Sequence, residues 1–87
     1  MLYQDQIITA ISTPPGVGGI AVIRLSGEGA IALADQVFRS PSRKKLDEQK
    51  ANTVHFGSIW KENVVLDDVL ATVFRAPHSF TGEEVVE

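Results

Sequence analysis

Gly19-Ile20-Ala21-Val22-Ile23-Arg24-Leu25 is the most apolar stretch of the chain, and its reading decides the fold. Alternation sends Ile20, Val22 and Arg24 to one face and Ala21, Ile23 and Leu25 to the other. Aliphatic residues on both faces predict a central strand covered on two sides. Arg24 breaks that pattern, because a charged side chain is almost never fully buried without a partner. Its stem can pack on the sheet while its head reaches solvent or one acid. Alternatively, the guanidinium presents several fixed donors to a carboxylate or a polar ring of a ligand. The pattern alone leaves both readings open.

On the N-terminal side, residues 6–13 are short and β-branched, which predicts a strand. Thr13-Pro14-Pro15-Gly16 ends it in a turn, and Gly18-Gly19 extends the corner. This glycine-rich run lacks the lysine and hydroxyl of a phosphate-binding loop. No helix follows it directly, as a dinucleotide-binding fingerprint requires. It reads first as a tight turn, with close backbone approach to a ligand as the alternative.

On the C-terminal side, Ser26 suits a helix N-cap and Glu28 the first turn. Ala30, Leu33, Ala34 and Val37 then follow helical spacing, widened by Phe38, which predicts a helix over 28–38. Residues 39–51 carry five basic and two acidic side chains around Pro41 and read as a mobile loop. Residues 52–61 alternate like a half-buried strand, Glu62-Asn63 supplies a turn, and 65–75 resume as a strand, so the two form a hairpin. A loop over 76–82 leads to Glu83-Glu84-Val85-Val86-Glu87, the opening of a further strand. An ending on Val-Val-Glu reads as a stop inside an element, which predicts an incomplete domain with an edge or apolar face partly uncovered. The expected fold is α+β: a mixed β-sheet with one main helix, in the order β-β-α-β-β-β.

Length and composition narrow the function classes. Eighty-seven residues make one small domain, and no cysteine staples it. A net charge of −3 argues against nucleic-acid binding through overall charge. The run Arg43-Lys44-Lys45 is a small basic patch that reads as a solvated loop before it reads as an RNA contact. His55 and His78 form no ligand or catalytic cluster, and Asp67-Asp68 point to opposite faces of a strand. Glu87 is a surface acid on the plain reading. On the sharper one, a strand-borne carboxylate accepts paired N–H groups from an amino-pyrimidone ring. No apolar run approaches the roughly 20 residues of a membrane span, and the polar start is unlike a signal peptide, so the cytoplasm is the expected compartment.

Two blocks carry a family resemblance. Residues 5–27, from Asp5 through Thr13-Pro14-Pro15-Gly16-Val17-Gly18-Gly19 to Ile23-Arg24-Leu25-Ser26-Gly27, resemble the pattern D-T-I-x-A-x-[AS]-T-P-P-G-x-G-G-[IV]-[AG]-[IV]-[IVL]-R-[IVL]-S-G, with one residue more between Asp5 and Thr13. Residues 73–87, with Pro77-His78-Ser79-Phe80-Thr81-Gly82-Glu83-Glu84-Val85-Val86-Glu87, resemble F-x-x-P-x-S-[FY]-T-G-E-[DE]-V-[VL]-E. Both are marks of the MnmE/TrmE family of tRNA-modification GTPases, and the resemblance covers nearly the whole chain. Gln6 replaces the usual Thr, and Val17 stands where Arg or Lys is frequent.

The resemblance implies an N-terminal domain similar to folate-dependent aminomethyltransferase-type domains, which binds a tetrahydrofolate derivative (5-formyl- or methylene-tetrahydrofolate) and mediates homodimerisation. Arg24 and Glu87 match the family's folate-binding positions, and a further lysine contact lies past Glu87. The helical domain and the G domain, with its GTP, Mg and K, fall outside this chain, which should have no GTPase activity of its own. Together with the flavoprotein MnmG/GidA, the full-length protein is expected to add an aminomethyl-type (carboxymethylaminomethyl) group at C5 of the wobble uridine in tRNA. The alternative is a dimerisation module only, with an incomplete folate site.

Overall fold

The computed structural model describes residues 6–11, 19–77, 79 and 82–87. The expected turn at Thr13–Gly16, together with Gly18, His78, Phe80 and Thr81, lies outside the described residues. Six strands form one sheet: β1 (Ile8–Ile11), β2 (Ile23–Ser26), β3 (Phe38–Arg39), β4 (Thr53–Lys61), β5 (Val64–Phe74) and β6 (Val85–Val86). Their order is β1-β2-β6-β5-β4-β3, and every adjacent pair is antiparallel. The expectation of a mixed sheet is therefore corrected. The connections return each strand beside a neighbour running the other way, and α1 (Ala30–Ala34), the one α-helix among the described residues, is no parallel crossover.

The hairpin forms as its alternation requires. Glu62 and Asn63 both take positive φ, 51° and 67°, the turn geometry that matches strand twist in a two-residue hairpin. β4 and β5 pair along their whole length, with one irregularity between Ile59 and Trp60.

The helix is the main departure. It spans five residues rather than 28–38, and its N-cap is Gly29 (φ 88°) in place of Ser26. Ser26 is instead held in the ladder, opposite Ile8 on one side and Val85 on the other. The first turn receives its acid from far along the chain, since the Glu84 carboxylate accepts the Ile31 N–H at 3.2 Å. Past Ala34 the chain tightens through Val37 N–H to Ala34 O at 3.1 Å. Phe38 then leaves the helix to enter β3, the strand at the far edge of the sheet, where it pairs with Ile59. A bulky aromatic gains more on a pleated surface than in a fraying last turn.

The core lies between one sheet face and the α1 side. Ile31, Ala34, Phe38 and Leu46 pack against Ala71, Val73 and Val86. The helix buries Ala30, Ile31 and Ala34, whereas Leu33 and Val37 of the expected stripe are exposed. Residues 39–51 are not a free loop. Ser40 Oγ accepts the Lys44 N–H at 2.9 Å, and the Asp35 carboxylate takes the N–H groups of Leu46 (2.7 Å) and Asp47 (3.0 Å). A 3₁₀ turn at Leu46–Glu48 follows. The guanidinium of Arg75 holds that turn from below, donating to the carbonyls of Asp47 at 2.8 Å and Gln49 at 2.6 Å.

Candidate functional site

The pleat sorts side chains onto two faces. Leu25 stands opposite Val86, and Val86 opposite Val73, so these three share the core face with α1. Arg24 is one residue from Leu25 and Glu87 one residue from Val86, so both point to the opposite, open face. Glu87 continues β6 in the ladder, exchanging backbone hydrogen bonds with Thr72 at 2.7 and 3.0 Å.

The two sequence-selected residues meet there. Arg24 Nε donates to Glu87 Oε2 at 2.7 Å, and Nη2 donates to the same oxygen, across 63 residues of sequence. Their side chains keep 33% and 21% of their exposure, so solvent still reaches the pair. Ala10 lies opposite Arg24 on β1, a small neighbour that leaves the guanidinium room. A carboxylate with guanidinium donors at its side, on a partly open sheet surface, offers acceptors and donors to a polar ring. β2 is covered less than its aliphatic run predicted, with Ile23 53% exposed.

The remaining candidates stay apart from this pair. His55 lies on the core face, half-buried, with Nε2 2.7 Å from Thr53 Oγ1. Asp67 and Asp68 are exposed, and Asp67 accepts the Asp68 N–H at 2.8 Å. Among the described residues no group of His, Cys, Asp or Glu could hold a metal ion. No helix among them is long and apolar enough to cross a membrane.

A second feature on the open face escaped the sequence reading. A cleft of about 680 Å³ runs along the β3 edge, lined by Arg39, Arg43, Lys44, Lys45, Phe56 and Trp60 among others. Arg39 lies opposite Ser58 in the β3–β4 ladder, and its guanidinium rests 4.4 Å from the centroid of the Trp60 ring. Trp60 Nε1 donates to Ser58 Oγ at 2.8 Å, which fixes the indole. Only the basic run Arg43-Lys44-Lys45 was visible in sequence. Phe56 and Trp60 are 11 or more positions away from it and join it through strand pairing.

Comparison with known proteins places the chain. The family model described as the GTP-binding protein TrmE N-terminus matches residues 7–87. A tRNA modification GTPase MnmE from Flavobacterium psychrophilum is 47% identical over 87 residues, covering 100% of this chain and 19% of the relative. The MnmE proteins of Parabacteroides distasonis and Geobacillus kaustophilus are 56% and 50% identical over 82 residues, each match covering 92% of this chain and 18% of the relative. The chain thus spans less than a fifth of the length of these relatives. A match over residues 7–87, which takes in nearly all of both quoted sequence blocks, settles the matter: this chain belongs to the TrmE N-terminal family.

Proposed function

We propose that this domain is the folate-binding and self-associating part of a tRNA-modification GTPase, and that Arg24 and Glu87 contact a tetrahydrofolate derivative. The observation that supports this reading is the convergence of these two residues on one open sheet face. The donor set fits the chemistry. The Glu87 carboxylate accepts the N–H groups of an amino-pyrimidone ring, and the Arg24 guanidinium holds a polar part of the same ligand. The two side chains bond each other across the sheet, so ligand binding exchanges or shares the Arg24 contact. When bound, the folate supplies the one-carbon unit. In this reading the full-length protein acts with the flavoprotein MnmG/GidA on C5 of the wobble uridine, in the cytoplasm, and GTP, Mg and K belong to its G domain.

The test is calorimetric titration of 5-formyltetrahydrofolate into the chain and into Arg24→Ala and Glu87→Gln. Each variant should bind about tenfold or more weakly, the scale of one lost charge-assisted contact. The fold should hold, because a partly exposed ion pair contributes only about 0–1 kcal/mol. Unchanged affinity in both variants would remove these residues from the site.

A second reading, a dimerisation module only with an incomplete folate site, has its own observation beside the β1 edge. Ile11 and Ile23 face each other across the β1–β2 ladder and are 73% and 53% exposed. An exposed apolar pair spanning the edge strand β1 and its neighbour β2 is a ready surface for a second copy.

A further inference from the structure

We propose that the cleft along the β3 edge is a docking site for single-stranded RNA, with the phosphate backbone on Arg39, Arg43, Lys44 and Lys45 and an unpaired base on Phe56. The choice of RNA rests on the reading above that the domain belongs to a tRNA-modifying protein. The cleft itself rests on charge, aromatic exposure and shape.

Charge comes first. The chain as a whole is acidic, with 8 basic and 11 acidic residues, yet four of the eight basic side chains line this one cleft. Two acids, Asp35 and Asp68, line it as well. Asp35 is turned to other work, since both its oxygens accept backbone N–H groups of the 3₁₀ turn. Among the described residues the ion pairs are Arg24–Glu87 and Arg75–Asp47, so none engages Arg43, Lys44 or Lys45. The cations are held on a shaped backbone. Arg43 takes a left-handed φ of 59°, its N–H bonds Ser40 O at 3.0 Å, and the Ser40 hydroxyl secures Lys44. The turn's backbone is fixed while the exposed cationic heads of Arg43, Lys44 and Lys45 reach into solvent, where a phosphate chain can meet them.

The aromatic groups decide between polyanions. Phe56 is 58% exposed and lies in the same cleft. Along β4 it shares the open face with Ser58, and Trp60 follows them carrying Arg39 against its ring. An acidic peptide needs cations alone, whereas nucleotides need cations for phosphate and flat surfaces for bases. At about 680 Å³ the cleft falls within the range of roughly 300–1,000 Å³ that small-molecule sites occupy, room enough for a nucleotide. Phe56 is on the same sheet face as Glu87 and two strands away from β6, roughly 10 Å across the sheet. RNA docked there would share the face that carries the Arg24–Glu87 pair.

Trp60 is the only tryptophan, so the chain carries its own reporter. The experiment titrates a ten-residue oligouridylate into the chain, reading Trp60 fluorescence and the anisotropy of a labelled oligomer at several salt concentrations. Binding should quench Trp60 and weaken as salt rises. Lys44→Ala/Lys45→Ala should flatten the slope of log K against log salt by about 1.4, the single-strand value for two phosphate contacts. Phe56→Ala should weaken binding about fivefold or more while keeping the salt slope, the mark of a lost stack. Absence of binding, or affinities unchanged in both variants, overturns the proposal. Equal competition by polyglutamate also overturns it, because the site would then read charge alone. A 5-formyltetrahydrofolate titration of the lysine variant separates the two readings. Folate binding retained with RNA binding lost supports two distinct sites, and failure of folate binding in the parent chain would strike the Arg24–Glu87 reading only.

Discussion

A methyl group on Gly57 would come within 2.6 Å of the Arg39 carbonyl oxygen and closer still to the Phe38 ring. Glycine is needed there for space, since Phe38 reaches the core under β4 at that point. Gly57→Ala should destabilise the domain by about 1–3 kcal/mol, the cost of overpacking, read as a lower midpoint in urea unfolding. Gly27 is constrained in both ways. Its φ is 135°, and a Cβ would lie 2.5 Å from the Gln6 carbonyl oxygen. Arg75 works by hydrogen bonding, its donors shared among carbonyls of the 3₁₀ turn. Arg75→Ala should cost about 1–3 kcal/mol, and Arg75→Lys should recover little, because one ammonium cannot reproduce the planar fork. Equal stability of the arginine and lysine forms in denaturant unfolding would show that charge alone matters at this position.

Short elements here depend on contacts from far along the chain. α1 has only five residues, far below the length at which a helix holds itself in water. It persists because Ala30, Ile31 and Ala34 are buried and Glu84 caps its first turn. The segment after β3 is held in the same manner by Asp35, which accepts two N–H groups from it. Asp35→Ala should free Leu46–Glu48 while leaving the β4–β5 hairpin intact. Hydrogen exchange should show the amides of Leu46 and Asp47 losing protection, with those of Phe56 and Ala71 unchanged. Loss of protection across both regions would make the turn and the hairpin one cooperative unit.

At the scale of the molecule, the sheet presents two unlike edges. At one end Ile11 of β1 and Ile23 of β2 form an exposed apolar pair, and the β3 edge carries the basic cleft. Self-association through the first should appear in sedimentation velocity as a mass that rises with concentration. Ile23→Lys should shift the chain to monomer with a stability change within about 0.5 kcal/mol, as expected for an exposed position. A parent chain that stays monomeric at high concentration would remove the self-association reading. The two edges lie at opposite ends of the strand order, so a dimer through β1 leaves the β3 cleft open.

Local chemistry made much of this legible in the sequence. Alternation over 52–61, the Glu62-Asn63 turn and the strand-like run 65–75 marked the hairpin, because a two-residue period and a turn that takes positive φ are properties of neighbours. A lone arginine in an aliphatic run marked Arg24, and the two sequence blocks determined the family. What lay beyond sequence reading depended on distant partners. Helical spacing extended through Val37 and Phe38, yet pairing with Ile59 drew Phe38 into a strand, since tertiary packing outweighs a propensity of a few tenths of a kcal/mol per residue. Ser26 had the side chain of a cap, and the ladder took it instead. Only the tertiary structure placed β6 between β2 and β5, brought Glu87 to Arg24, and set Phe56 and Trp60 beside a basic loop. Strand order is fixed by burial and pairing across the whole chain, and neither is a property of any local stretch of residues.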